Sequence, residues 1–92
     1  MPEPESTAKQ FKIGSKIRDL RSQLRDWVPS KVEVDGTVSN TGIDALPPRF
    51  SGTILLYHYS WVIPDDVKPS FVIELRYENG KLTHLDYGIL PG

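Results

Sequence analysis

The residues of this chain whose types could do chemistry are few: His58 in GTILLYHYSWVI, Glu74 in SFVIELRY, and His84 with Asp86 in KLTHLDYG. A carboxylate beside an imidazole orients the ring and stabilises its charged form, the arrangement that general acid–base catalysis uses. Two histidines with a carboxylate also offer nitrogen and oxygen donors to zinc or another divalent ion, but the short ligand spacing of a dedicated metal site is missing. The plainer reading is a half-solvated antiparallel sheet, whose outer face alternates polar residues in just this way. The strands that carry these residues decide between the two.

TILLYHYSWVI reads as the longest strand, ending at Pro64, with the polar DDVKP leading to the next. SFVIELRY alternates Phe71, Ile73, Leu75 and Tyr77 with Val72, Glu74 and Arg76, and LTHLDYGIL alternates Leu85, Tyr87 and Ile89 with His84 and Asp86. The three form an antiparallel meander. A two-residue turn at Asn79-Gly80 would set Ile73 opposite Asp86 and Leu75 opposite His84, mixing core with charge. A three-residue loop, Glu78-Asn79-Gly80 with a glycine bulge, pairs Ile73 with Leu85, Phe71 with Tyr87 and Glu74 with His84, and this register is expected. Leu55, Tyr57, Tyr59, Trp61 and Ile63 are expected on the same core face, which leaves His58, Ser60, Glu74, Arg76, His84 and Asp86 opposite. An exposed stacking platform of Tyr57, Tyr59 and Trp61 is the alternative, without interleaved basic residues.

Upstream, Ile13, Ile17, Leu20, Leu24 and Trp27 or Val28 recur at spacings of three and four, predicting an amphipathic helix over about residues 15–27. Ser15 is its expected N-cap and Pro29 its stop. Arg18, Arg21 and Arg25 make a basic stripe along it, read either as a solvated face or as a grip on phosphate or an acidic partner. KVEVDGTV is a short strand, and an edge near Lys31–Val38 could pair with another chain, so monomer and homodimer both stay open. SNTGIDALPPRFSG is a loop. Arg49 and Phe50 are a candidate partner-binding pair there, unless Phe50 is tucked into the core.

The 92 residues suffice for one domain, burying roughly 60–65% of its unfolded surface. MPEPESTA lacks periodicity, so residues 1–10 are expected as a disordered tail and residues 11–92 as a single α+β domain. Cysteine is absent, which removes disulfides and thiolate metal sites. No apolar run approaches the ~20 residues of a membrane span; the chain reads as soluble, cytoplasmic as written and periplasmic if a leader was removed. Seven Lys/Arg against four Asp/Glu in residues 1–32, and four against eight in residues 33–92, make one end basic and the rest acidic. A pI near 6 argues against a broad nucleic-acid surface. No glycine-rich phosphate loop, His-Glu-x-x-His, Gly-x-Ser-x-Gly or repeat is present.

FKIGSKIRDLRSQL, then YSW, then FVIELRYENGKLTHLDYG resemble small bacterial helix-plus-meander domains: the SmpA/OmlA-like outer-membrane assembly lipoproteins, β-lactamase-inhibitor-like domains and small toxin-immunity proteins. Ile13-Gly14-Ser15 matches their entry to the first helix, Trp61 a mid-strand aromatic and Asn79-Gly80-Lys81 the final hairpin. The resemblance implies a non-enzymatic role, in which a sheet face or loop is presented to another protein. Those lipoproteins have two helices behind a lipidated cysteine, and this chain has one clear helix and no cysteine.

The expectation is therefore an α+β fold with one amphipathic N-terminal helix packed on a three- to four-stranded antiparallel meander. It acts as a non-catalytic protein-binding module of the interaction, inhibitor or immunity type, without cofactor or metal. The contact surface is an open sheet face or the 39–52 loop, through Arg49, Phe50, His58, Arg76 and His84. A small-ligand or enzymatic domain built on His58, Glu74, His84 and Asp86 is the second reading, and nucleic-acid binding through Arg18, Arg21 and Arg25 the third.

Overall fold

The computed structural model describes residues 4–63 and 66–89, with side chains at 5–59 and 71–89. Helix α1 (Pro4–Ala8) comes first, then a 3-10 turn (Ile17–Asp19) that runs into α2 (Leu20–Leu24). The strands follow: β1 (Lys31–Val34), β2 (Thr37–Val38), β3 (Gly52–Ile63), β4 (Asp66–Glu78) and β5 (Lys81–Gly88). All five strands form one antiparallel sheet in the order β2-β1-β3-β4-β5.

This corrects the expected helix on a three- to four-stranded meander. Of the residues expected to be helical, 15–27, only 17–24 are, and in two short pieces. The apolar stripe itself is real, since Ile17, Leu20, Leu24 and Trp27 are all buried, whereas Ile13 and Val28 are exposed. The backbone ahead of the stripe has another use. The amide of Gly14 donates to Leu82 O at 2.7 Å, that of Leu82 to Ser15 O at 2.8 Å, and that of Ile17 to Gly80 O at 2.7 Å. The turn at Gly14 therefore sets Ser15 and Lys16 against the start of β5, with Lys16 bridging Lys81, and the Ser15 hydroxyl, expected to cap a helix, donates instead to Lys12 O. At the other end Arg25 takes φ 55°, which leaves the helical region.

Within the segment read as a tail, α1 sets Thr7 and Ala8 into the interior, and Phe11 follows them. Two apolar residues and one threonine are too few for periodicity to reveal, and their burial against the rest of the core places them.

Two of the hairpins turn on two described residues. Asp35-Gly36 joins β1 to β2 and Asn79-Gly80 joins β4 to β5, each with positive φ at both central residues, the mirror-image turn that matches strand twist. The expected three-residue loop at Glu78-Asn79-Gly80 is thus overturned: Glu78 pairs with Lys81 and Tyr77 with Leu82. Parity is rescued further along. Thr83 is bulged out between Arg76↔His84 and Tyr77↔Leu82, so Leu75 meets Leu85 and Ile73 meets Tyr87. One extra residue restores apolar against apolar, as the sequence required, by a different device.

The core lies between the sheet and the helical segments. It contains Ile54 and Leu56 of β3, Ile73, Leu75 and Tyr77 of β4, Leu82 of β5 and Val32 of β1, with Phe11, Leu20 and Trp27 over them. The core parity of β3 is therefore Ile54, Leu56, His58, and the expected set of Leu55, Tyr57 and Tyr59 faces the other way; Trp61 and Ile63 lie outside the described side chains. The 39–51 connection returns from β2 to β3 with Ile43 and Leu46 packed on the core and Phe50 buried in it. β1 is an inner strand, paired on both sides, and the edge on its side of the sheet belongs to the two residues of β2.

Candidate functional site: the open face of the sheet

The register decides which chemistry-bearing residues meet. Glu74 lies opposite Asp86, and Arg76 opposite His84, so the expected Glu74–His84 pairing is displaced by two residues along β5. Arg76 Nε donates to Glu74 Oε2 at 2.8 Å, and the carboxylate that would have oriented the histidine is held by a guanidinium. Asp86 turns back to accept from the Tyr87 amide at 2.9 Å. His58 is on the core side of β3, opposite Phe71, with its ring centroid 6.4 Å from that of Trp27. The four residues of the catalytic reading are thus divided between two faces of the sheet. Among the described residues, no three histidine, aspartate or glutamate side chains are grouped to hold a metal ion.

The loop site comes apart in the same way. Phe50 is buried edge-on to Tyr77, at 6.4 Å between centroids, while Arg49 is exposed, so the two do not present a joint anchor. Of the basic stripe, Arg21 is engaged by Asp44 of that loop, its Nε 2.9 Å from Oδ1. Arg18 and Arg25 are exposed.

What the outer face does assemble is an apolar and aromatic strip whose β3 members, Leu55, Tyr57 and Tyr59, were expected in the core. Antiparallel partners share a face, so Lys31 and Glu33 of β1, Leu55, Tyr57 and Tyr59 of β3, and Val72 and Glu74 of β4 stand together. The Tyr57 and Tyr59 rings are 6.4 Å apart. Lys31 Nζ sits 4.4 Å from the Tyr57 centroid and 5.9 Å from that of Tyr59, and 3.7 Å from Glu33 Oε2. Partial burial first, and then the neighbouring Glu33 carboxylate to which it hydrogen-bonds, push the Tyr57 hydroxyl up to about 12. Beside this group is an open depression of about 350 Å³, floored by Leu55, Tyr57 and Val72 and rimmed by Glu74, Asp86 and Ile89.

Lys31, Glu33, Tyr57 and Tyr59 were not singled out together from the sequence. The available signal was the alternation of Val32 and Val34, which sends Lys31 and Glu33 outward and requires outward neighbours on β3. Both parities of ILLYHY are apolar enough to be core, and His58 made the true core parity look polar.

Comparison with known proteins gives no match: no family model, no curated protein and no solved structure is similar to the chain.

Proposed function

We propose that this chain is a small non-catalytic protein-binding module whose contact surface is the open face of the sheet. The observation that carries the reading is the position of Leu55, Tyr57, Tyr59 and Val72 on the side of the sheet opposite the helices and the 39–51 connection. Tyrosine is enriched in protein hot spots, and it offers large contact area at low entropic cost. The ion pairs Lys31–Glu33 and Arg76–Glu74 flank this strip and supply the polar rim that such surfaces have. The 39–51 connection is a poorer surface, because Phe50 and much of its apolar content already serve the core.

A photo-reactive amino acid at position 72, introduced in the organism that produces the protein, tests this. A discrete crosslinked protein is expected from position 72 and not from position 22, on the opposite side, and Tyr57→Ser should abolish the adduct. Equal crosslinking from both positions, or none from position 72, overturns the reading.

A further inference from the structure

The arrangement around Lys31 is that of a receptor holding a ligand, except that the ligand belongs to the same chain. Two tilted tyrosine rings, 44° apart in plane, flank the ammonium group, and a carboxylate lies 3.7 Å from it. Cations are attracted to the faces of aromatic rings, and a nearby carboxylate adds a charged hydrogen-bond acceptor. Residues 31, 33, 57 and 59 have no part in the core, so packing does not require this geometry.

We propose that Tyr57, Tyr59 and Glu33 form a receptor for one arginine side chain of a protein partner, with Lys31 as the intramolecular occupant that the arginine displaces. Charge and shape favour that exchange. A guanidinium is planar, more weakly hydrated than an ammonium, stacks on tyrosine and meets a carboxylate with two parallel donors. Lys31 loses little on leaving, because its side chain already reaches solvent, at 31% exposure, and an ammonium is well hydrated there. An arginine arriving over Tyr57 can lay its aliphatic stem along Leu55 and Val72, the floor of the adjoining depression. The proposal rests on the protein-binding reading for its partner, but the receptor itself is a property of the isolated chain.

The test uses the whole chain and two short peptides, acetyl-Gly-Arg-Gly-amide and its citrulline counterpart, which has the same shape without the charge. Ring resonances of Tyr57 and Tyr59 are followed by NMR during titration. In Lys31→Gln the arginine peptide is expected to shift both rings, about tenfold more tightly than the citrulline peptide and about tenfold more tightly than in the unaltered chain. Tyr57→Leu in the same background should remove the response. Lys31→Met, which keeps the stem, serves if Lys31→Gln disturbs the amide spectrum. Absence of ring shifts in a folded Lys31 variant, an equal response to citrulline, or equal affinity with Lys31 in place overturns the proposal. Crosslinking from position 72 would survive that failure, so the two readings fall separately.

Discussion

Gly80 shows how much one residue can be asked to do. At φ 80° it occupies the second position of the β4–β5 turn, its amide donates to Phe50 O, its carbonyl accepts from Ile17, and a Cβ there would overlap Pro48 O. Backbone strain and overpacking act together in Gly80→Ala, and we expect a loss of about 3 kcal/mol in urea unfolding. Arg21→Ala should be mild by contrast, within about 1 kcal/mol, because the Arg21–Asp44 pair is solvent-exposed. Tyr77 gives a pH-dependent case. Its buried hydroxyl has no hydrogen-bond partner among the described residues, and burial first, then the Asp19 charge, push it up to about 12. An acid raised from 10 in the unfolded chain to about 12 in the fold keeps its proton longer when folded. Stability is therefore unaffected by it below pH 10 and falls as pH rises from 10 to 12. Tyr77→Phe should flatten that part of the stability profile while leaving neutral-pH stability nearly unchanged, since no bond is lost.

Among the elements, the N-terminal segment is part of the fold rather than an appendage. Phe11 is 4% exposed and Ala8 fully buried, so Phe11→Ala is expected to lower stability by about 3 kcal/mol, measured by thermal or urea unfolding. An unchanged transition would mean that this segment does not hold to the body. The same segment explains why the amphipathic stripe was legible while the helix was not. The spacing of Ile17, Leu20, Leu24 and Trp27 reports which side chains face inward, and they do. Hydrophobic periodicity is blind to whether the backbone before Ile17 pairs with a neighbouring strand, a long-range contact with Gly80 and Leu82. The hairpin offers a second case: Asn79-Gly80 announced a turn, but its length depended on a bulge at Thr83 that no local residue preference marks.

For the molecule as a whole, the deciding variable is which face of β3 is inside. Leu56→Ala should cost about 3 kcal/mol, whereas Leu55→Thr, one residue away on the open face, should cost no more than about 1 kcal/mol; paired unfolding curves check both. Comparable losses would mean that both faces are covered. The sequence alone carries the three strands of the β3–β4–β5 meander, the place of the Asn79-Gly80 turn, the core parity of Ile73 and Leu75, and the apolar side of the helical segment. Each of these follows from local alternation or spacing, which neighbouring residues enforce. Long-range packing sets the face of β3, the break of KVEVDGTV into β1 and β2 at Asp35-Gly36, the start of β4 at Asp66 within the expected DDVKP connection, the placement of β1 between β2 and β3, and the separation of His58 from His84. ILLYHY is apolar at both parities, so nothing within it chooses a face. That choice is made by the partners across the sheet, Val32 and Val34 on one side and Ile73 and Leu75 on the other. Their burial sends Tyr57 and Tyr59 outward, and with them the surface on which the proposed function depends.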